Sequence, residues 1–580
     1  MEDYSTCILF LSVTTMSKQW VFRDTVDEAK VDHLSRAINI DPVLSSILIH
    51  RGIQSFDDAK KYFRPQLGDL HDPFLMKDME LAVERLIKAI SNNERILVYG
   101  DYDVDGTTSV VMMYSFLKKH TENIYFYIPD RHKEGYGISE EGIAYAVDND
   151  ISFIISLDCG IRAIDNITLA ADNHIDFIVC DHHLPGETLP PAIAILDPKQ
   201  KGCNYPYKEL SGCGIGFKLI QAFYDHQSTP EQTYAWLDLV AISICADIVP
   251  ITDENRILTY HGLKKLNQEP PTGLRALMGV AGLKNNVDVS GVVFGIAPRI
   301  NAAGRISHAR DAVQLLLAET SEIAVKAAET INAHNTERKN YDLEITKEAL
   351  EMIRSESRLE SAKSIVLFNE NWHKGVIGIV ASRVIEKYYR PTIILTKSND
   401  MATGSARSVD GFNVYEAIEA CSELLSRFGG HKYAAGITLP LENVSEFQAK
   451  FEKTVAATIN SNDLIPKLKI DATLSFEKIT SGFYNIIRQM EPFGPANPSP
   501  VFMTKNVECI NTRVISDKHL KLIVRERGRK KTFEAIAFGQ AGLSGKVAGN
   551  QPFQIVYHIE ENAFRDEKYL QLVIKDIKEQ

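Results

Sequence analysis

Ile96-Leu97-Val98-Tyr99-Gly100-Asp101-Tyr102-Asp103-Val104-Asp105-Gly106 is a short apolar run that ends in three aspartates spaced two residues apart. Four apolar residues closed by glycine have the length of a buried strand, and an amphipathic stretch from about Thr107 to Lys119 follows, as a helix would. The alternation repeats. Ile124–Ile128 precedes a helical stretch from about Ser139 to Asp148, and Phe153–Leu157 precedes one from about Arg162 to Asn173. Phe177–Cys180 and Ile193–Leu196 complete the series. Strands alternating with helices predict a parallel sheet covered on both faces. Ligands of such sheets bind outside the carboxyl ends of the strands.

Those ends carry the chemistry. The first strand runs into Asp101, Asp103 and Asp105, the third into Asp158-Cys159-Gly160, and the fourth into Asp181-His182-His183. A later apolar segment, Leu239–Cys245, runs into Ala246-Asp247. Taken singly, an aspartate at a strand end is often a helix cap or a turn residue, and His182 or His183 alone is more often an ordinary surface or core histidine. Four segments bringing the same groups to one sheet edge outweigh that plainer account. Clustered carboxylates repel one another and are costly to keep ionised without counter-charge. Divalent cations supply it: oxygen ligands suit Mg²⁺ or Mn²⁺, and an imidazole tilts the choice toward Mn²⁺. Two such ions about 3.5–4 Å apart make a phosphoryl-transfer site, in which one activates water and both stabilise charge on the phosphate.

The chain's 580 residues are too many for one core, so three or four domains are expected. Apolar residues make up 44% and charged residues 24%, as in a folded soluble protein. No stretch has the roughly 18–20 uncharged apolar residues of a membrane helix. The apolar run Cys7–Val13 follows Glu2 and Asp3 rather than a basic flank, which argues against a signal peptide. Residues 1–15 are expected to be an upstream extension, with Met16 a more ordinary start, and the protein is expected to be cytoplasmic. Eight cysteines without a CxxC pair read as reduced and mostly buried. A net charge of −12 is a mild argument against nucleic acid, but phosphate binding depends on local basic patches. Residues 16–90 read as short helices punctuated by Pro42, Pro65 and Pro73, with no chemistry of their own. From about Ser321 to Ser357 runs a helical pattern without Pro or Gly, long enough to bridge two lobes. Residues 364–456 read as a second α/β lobe. From about Leu468 the chain turns strand-rich, and five strands at that spacing predict a small barrel of OB type.

Asp181-His182-His183 matches the triplet that names the DHH phosphoesterases. Asp101-Tyr102-Asp103-Val104-Asp105-Gly106 resembles the first motif of that family in the form found in its RecJ exonucleases, and Ser156-Leu157-Asp158-Cys159-Gly160 and Ala246-Asp247-Ile248-Val249-Pro250 resemble its second and fourth. The resemblance covers essentially residues 20–575. It implies metal ligation by Asp101, Asp103, Asp158, His182 and Asp247, with Asp158 bridging two ions, Mn²⁺ or Mg²⁺. It implies that His183 faces the scissile phosphate and that Asp181 and Asp105 support from behind. Pyrophosphatase relatives carry a histidine four residues before the first aspartate; here that residue is Leu97, which leaves the shell of one ion open. The expected division is an N-terminal segment over 1–75, a DHH catalytic domain over 76–310, a connecting long helix over 311–360, a DHH-associated substrate-binding domain over 361–460, and an OB-fold over 461–580.

Other stretches point to substrate. Phe294 to Arg305 sets Arg299, Asn301 and Arg305 among small residues, so that guanidinium groups can approach a phosphate; a capped loop with surface arginines is the plainer account. Gly404-Ser405-Ala406-Arg407-Ser408 resembles the segment that holds a terminal 5′ phosphate, which assigns Ser405 and Arg407 to that role with Arg131 as helper. Gly429-Gly430-His431 resembles a glycine-rich substrate motif whose backbone N–H groups reach phosphate, the alternative being a helix C-cap. Trp372 to Gly378 precedes a helix, and Glu491 to Pro498 reads as a rigid turn. Arg525, Arg527, Arg529, Lys530 and Lys531, with Phe533 and Phe538 nearby, form a basic hairpin of the kind that grips single strands, or simply a solvated turn.

The resemblance implies a single-stranded-DNA-specific 5′→3′ exonuclease that releases 5′-mononucleotides in DNA recombination and repair. It implies a monomer working with a single-strand-binding protein and a RecQ-type helicase. Two other classes compete with it. A DHH hydrolase of small substrates such as dinucleotides or pyrophosphate usually lacks the C-terminal barrel. A non-catalytic scaffold would be expected to have lost ligands, and all five are present.

Overall fold

Asp101, Asp158 and Asp181 leave one sheet side by side because their strands run in phase. In the computed structural model, which describes residues 16–284, 286–549, 551–564 and 567–579, strands β1 (Ile96–Gly100), β2 (Ile124–Tyr127), β3 (Phe153–Leu157), β4 (Asp176–Cys180) and β5 (Ala194–Leu196) form one parallel sheet in the order β2-β1-β3-β4-β5. Gly100 is level with Leu157, Leu157 with Cys180, and Cys180 with Leu196. The next residue of each strand therefore emerges at the same edge. The central strands are buried along their whole length, as runs of apolar residues covered on two faces must be. The expected extension over 1–15, with Cys7, lies outside the described residues.

Two compact units divide the chain. One comprises Ile53–Glu337 with Gln489–Ser499, and it holds the parallel sheet. Helix α1 (Val104–Leu117) leaves β1, and helices α2 (Gly212–His226) and α3 (Leu237–Ala246) pack with it in one apolar core. Leu97, at the pyrophosphatase histidine position, is fully buried in an apolar cluster on the other sheet face, so no ligand comes from there. The stretch Phe294 to Arg305 is helical throughout: a π-helical turn over Val292–Ile296 passes into α4 (Ala297–Ile306).

The other unit comprises residues up to Gly52, Arg338–Arg488 and Pro500–Gln580. Helix α5 (Ser321–Ser355) crosses from one unit into the other along the chain, so the connecting segment belongs partly to each. Its second half packs into a second α/β lobe, where Ile345, Ala349 and Ile353 share a core with strand β6 (Ile365–Phe368) and helix α6 (Ile377–Tyr388). The sheet there runs β9-β10-β8-β7-β6, with β7 at Thr392–Ser398, β8 at Met401–Arg407, β9 at Arg427–His431 and β10 at Ala434–Pro440. Gly429 and Gly430 thus lie in an edge strand, not at a helix end.

The C-terminal strands β11 (Phe502–Ile515), β12 (His519–Glu526), β13 (Thr532–Ala537), β14 (Phe553–Phe564) and β15 (Glu567–Glu579) close into a barrel. β13 pairs in parallel with β15, β15 pairs antiparallel with β14, and β14 returns antiparallel to β11. Closure in this order is the expected OB-fold. Within the N-terminal segment the boundary between the two units falls at Gly52 and Ile53. Gln19–Phe22 is a strand paired with Lys467–Ile470, and Trp20 Nε1 donates to Asp576 at 2.7 Å.

Candidate metal centre

The turn after β1 closes tightly around Asp101. Asp103 caps α1, accepting from Gly106 N at 3.1 Å. A Cβ on Gly106 would lie 2.4 Å from Asp101 O, so only glycine fits there. Asp158 leaves β3 in the left-handed region, with φ 61°. Helix α2 starts against it: a Cβ on Gly212 would lie 2.5 Å from Asp158 Cβ. The same helix start donates Gly212 N and Cys213 N to Asp105 at 2.7 and 2.8 Å, and Ser243 Oγ donates to Asp105 at 2.7 Å. Those bonds fix Asp105 through both of its oxygens, with Oδ2 on the side of the His182 ring.

His182 gathers the carboxylates. Its Nε2 stands 3.2 Å from Asp158 Oδ1, 3.6 Å from Asp247 Oδ2 and 4.0 Å from Asp105 Oδ2. Asp247 is the residue that ends α3. Ligand atoms of Asp158, His182 and His183 lie within 4.8 Å of one another, and so do those of Asp105, His182 and Asp247. His183 Nδ1 is 2.7 Å from Asp181 Oδ1, and Asp181 also accepts from His182 N, His183 N and Ile161 N. Asp181 thus holds the ring of His183. Tyr136 also stands at this edge. Its hydroxyl donates to Asp158 O at 2.9 Å and lies 3.2 Å from His183 Nε2. Its one sequence signal is the flanking pair Gly135 and Gly137, both at positive φ.

The electrostatics are those of a cation site. Burial, then the neighbouring carboxylates, raise the pKa values of Asp101, Asp103 and Asp158, and push Asp247 to about 9. Asp181 goes the other way. Burial opposes its ionisation, but the hydrogen bond and charge of His183 outweigh it and hold it at about 2. Asp101 Oδ2 and His182 Nδ1 are buried and meet no hydrogen-bond partner among the described residues. Buried polar atoms of this kind normally have a partner. Oxygen-rich donors with one or two imidazoles fit Mn²⁺ or Mg²⁺.

Residues 95–244 match the N-terminal domain of the DHH family, residues 361–457 the DHHA1 domain, and residues 470–576 the RecJ OB domain. The single-stranded-DNA-specific exonuclease RecJ of Bacillus subtilis is 37% identical over 555 residues, 95% of this chain and 70% of the relative. That of Escherichia coli is 31% identical over 558 residues, 93% of this chain and 96% of the relative. The chain belongs to the RecJ family. The crystal structure of RecJ from Thermus thermophilus in complex with Mn²⁺ superposes with a TM-score of 0.84 at 26% identity, covering 97% of this chain and 80% of that one.

The remaining residues of RecJ type divide between exposed and inward-turned positions. Arg131 lies over the Tyr102 ring at 4.7 Å, and its charge favours ionised Asp101 and Asp103. Arg305 is half-buried on α4, and its charge is felt at Tyr102; Asn301 is half-buried on the same helix. Arg299 differs from expectation. It is 7% exposed, and it donates to Asn332 Oδ1 at 3.0 Å, Gly295 O at 2.7 Å and Val280 O at 3.2 Å. A guanidinium engaged by those oxygens ties α4 to its surroundings.

In the second lobe, register does what sequence spacing cannot. Gly429 is level with Gly436 and Gly436 with Ser405; His431 is level with Ala434 and Ala434 with Arg407. Ser405, Arg407, Gly429 and His431 therefore share one sheet face, while Gly430 belongs to the other. Arg407 donates to Ser405 Oγ at 2.9 Å. Gly378, at the start of α6, lies against both: a Cβ there would be 2.9 Å from Ser405 Oγ. Trp372 is buried and donates to Glu348, so that motif contributes its glycine and not its ring. In the barrel, Arg527, Arg529 and Lys530 are exposed at the turn between β12 and β13; Phe533, next to that turn, is buried, and the exposed Phe538 lies at the other end of the strand pair, against His519.

Proposed function

We propose that this chain is a single-stranded-DNA-specific exonuclease that hydrolyses phosphodiesters from the 5′ end and releases 5′-mononucleotides, with two divalent ions, Mn²⁺ or Mg²⁺. The cluster of buried Asp101, Asp105, Asp158 and His182 with half-buried Asp103 and Asp247 at one sheet edge carries the reading. When bound, the ions cancel the carboxylate repulsion, make water nucleophilic and stabilise charge on phosphorus. Asp101, Asp103, Asp158, His182 and Asp247 hold them. Burial opposes protonation of His183, but the hydrogen bond and charge of Asp181 outweigh it and raise its pKa, and Asp181 fixes the ring so that His183 faces a phosphate oxygen. Arg131 and Arg305 add positive charge at the same edge, and Ser405 and Arg407 take a terminal phosphate, which sets the polarity because internal phosphates enter such a pocket less well. Backbone contacts without base reading give strand preference by exclusion of a duplex. The exposed basic loop of the barrel follows the strand.

We assign this chain work in recombination and repair beside a single-strand-binding protein and a RecQ-type helicase, as a cytoplasmic monomer. No described helix is long and apolar enough to cross a membrane.

A uniformly labelled single strand incubated with Mn²⁺ is expected to yield 5′-mononucleotides as its first products, and none in a chelator. An intact strand alongside fast hydrolysis of dinucleotides would move the assignment to a small-substrate hydrolase.

A further inference from the structure

We infer that Ile248 contacts a nucleobase of the strand at the metal centre; the inference rests on the exonuclease reading. Ile248 follows Asp247 directly, and its φ is 61°. Helices commonly end on a left-handed residue, and glycine or asparagine takes that place without crowding. A β-branched side chain there is strained. Among the described residues Ile248 is the one β-branched residue with such a φ; most of the others are Asn or Asp. Burial would be the ordinary compensation for that strain, yet Ile248 is 65% exposed.

The backbone around it is held without its side chain. Asp247 N donates to Ser243 O at 2.9 Å, and Pro250 O accepts from Tyr207 Oη and Asn255 Nδ2, each at 3.0 Å. Ile251 N donates to Pro495 O at 2.8 Å. Glycine or asparagine at position 248 would serve the fold better, so the isoleucine side chain serves something outside it. Its place decides what. Asp247 is 3.6 Å from His182, and Leu184, the residue after His183, is likewise 66% exposed. Apolar side chains thus stand next to the charged cluster on both segments. The cluster and its ions answer the phosphate of a nucleotide. The base, with its apolar faces, is the part that remains for Ile248.

Ile248→Asn and Ile248→Gly would be compared with the unaltered protein on 5′-phosphorylated single strands with Mn²⁺. One set of strands is ordinary, and the other carries one abasic nucleotide at the first, second or third position. The expected result is a thermal midpoint unchanged or raised by roughly 2–4 °C, from relief of strain. On ordinary strands kcat/KM falls about 5- to 20-fold, the worth of one apolar base contact. On the strand whose abasic site removes the contacted base, variants and unaltered protein cleave at equal rates. Three results overturn the contact: a midpoint that falls together with the rate, which makes Ile248 structural; unchanged kinetics with stability intact, which points to a protein partner; or a rate difference that persists at all three abasic positions. If the unaltered protein cleaves no strand, the exonuclease reading fails and the contact fails with it.

Discussion

His182 and Asp158 meet at 3.2 Å, Nε2 to Oδ1, because their strands run level and end at one sheet edge. That pairing places an imidazole at the centre of a ring of carboxylates, each of which raises the cost of ionising the next. Asp158 is the most crowded of them: Asp105, Asp103, Asp247 and Asp101 all oppose its charge, after burial itself.

Asp158→Asn keeps the shape and removes one charge. Nuclease activity should fall at least about a thousandfold, the scale of losing a central phosphoryl-transfer group. The metal-free variant should melt above the metal-free parent, since a repelling buried charge has gone. Calorimetry in a chelator, beside a rate assay in Mn²⁺, reads both.

The pH dependence of the metal-free protein has a definite sign. Folding raises the pKa values of Asp101, Asp103, Asp158 and Asp247, the last to about 9. Below the unfolded value of about 4 these groups are neutral in both states and cost nothing. Above it the unfolded chain ionises more readily than the folded one, so stability falls as pH rises from about 4 toward 9. Saturating Mn²⁺ should flatten that slope and raise the melting temperature most at the alkaline end. A melting series at several pH values, with and without Mn²⁺, tests it.

Arg407 and Ser405 share a sheet face with Gly429 and His431. Arg407→Ala should lower kcat/KM on a 5′-phosphorylated strand about tenfold or more, and barely change it on a 5′-hydroxyl strand, because a charge-assisted phosphate contact is lost only where the phosphate exists. The ratio of the two rates is the measurement.

Lys218 and Glu254 form a fully buried ion pair at 2.7 Å, with His71 bonded to both partners. Glu254→Ala strands the ammonium and should destabilise the DHH unit by about 3–5 kcal/mol. Replacing both partners, Lys218→Met with Glu254→Gln, should recover part of that loss. Denaturant melts of the three proteins check it.

Much of this was legible from the chain. Apolar runs of strand length ending in aspartate pointed to the parallel sheet, and a parallel sheet in phase is what brings Asp101, Asp158 and Asp181 together. The length of α5 follows from an uninterrupted helical pattern without Pro or Gly. Other features depend on partners remote in sequence. Arg299 is turned inward by Val280 O and Asn332, which no local pattern announces. Asp105 owes its place to the N-terminus of α2. The strand Gln19–Phe22 is too short to read alone and exists because Lys467–Ile470 pairs with it. Glycine in edge strand β9 imitates a helix end, since the same freedom of φ serves both.

The central claim is a metal-dependent exonuclease with 5′ polarity whose site is the cluster around Asp158. It is tested most directly by a 3′-labelled, 5′-phosphorylated single strand in Mn²⁺, beside a matched duplex and the Asp158→Ala protein. The expected result is labelled products that shorten progressively from the 5′ end, absent from the duplex and from the variant. Immediate release of labelled mononucleotide from an otherwise full-length strand, or cleavage retained by Asp158→Ala, would contradict it.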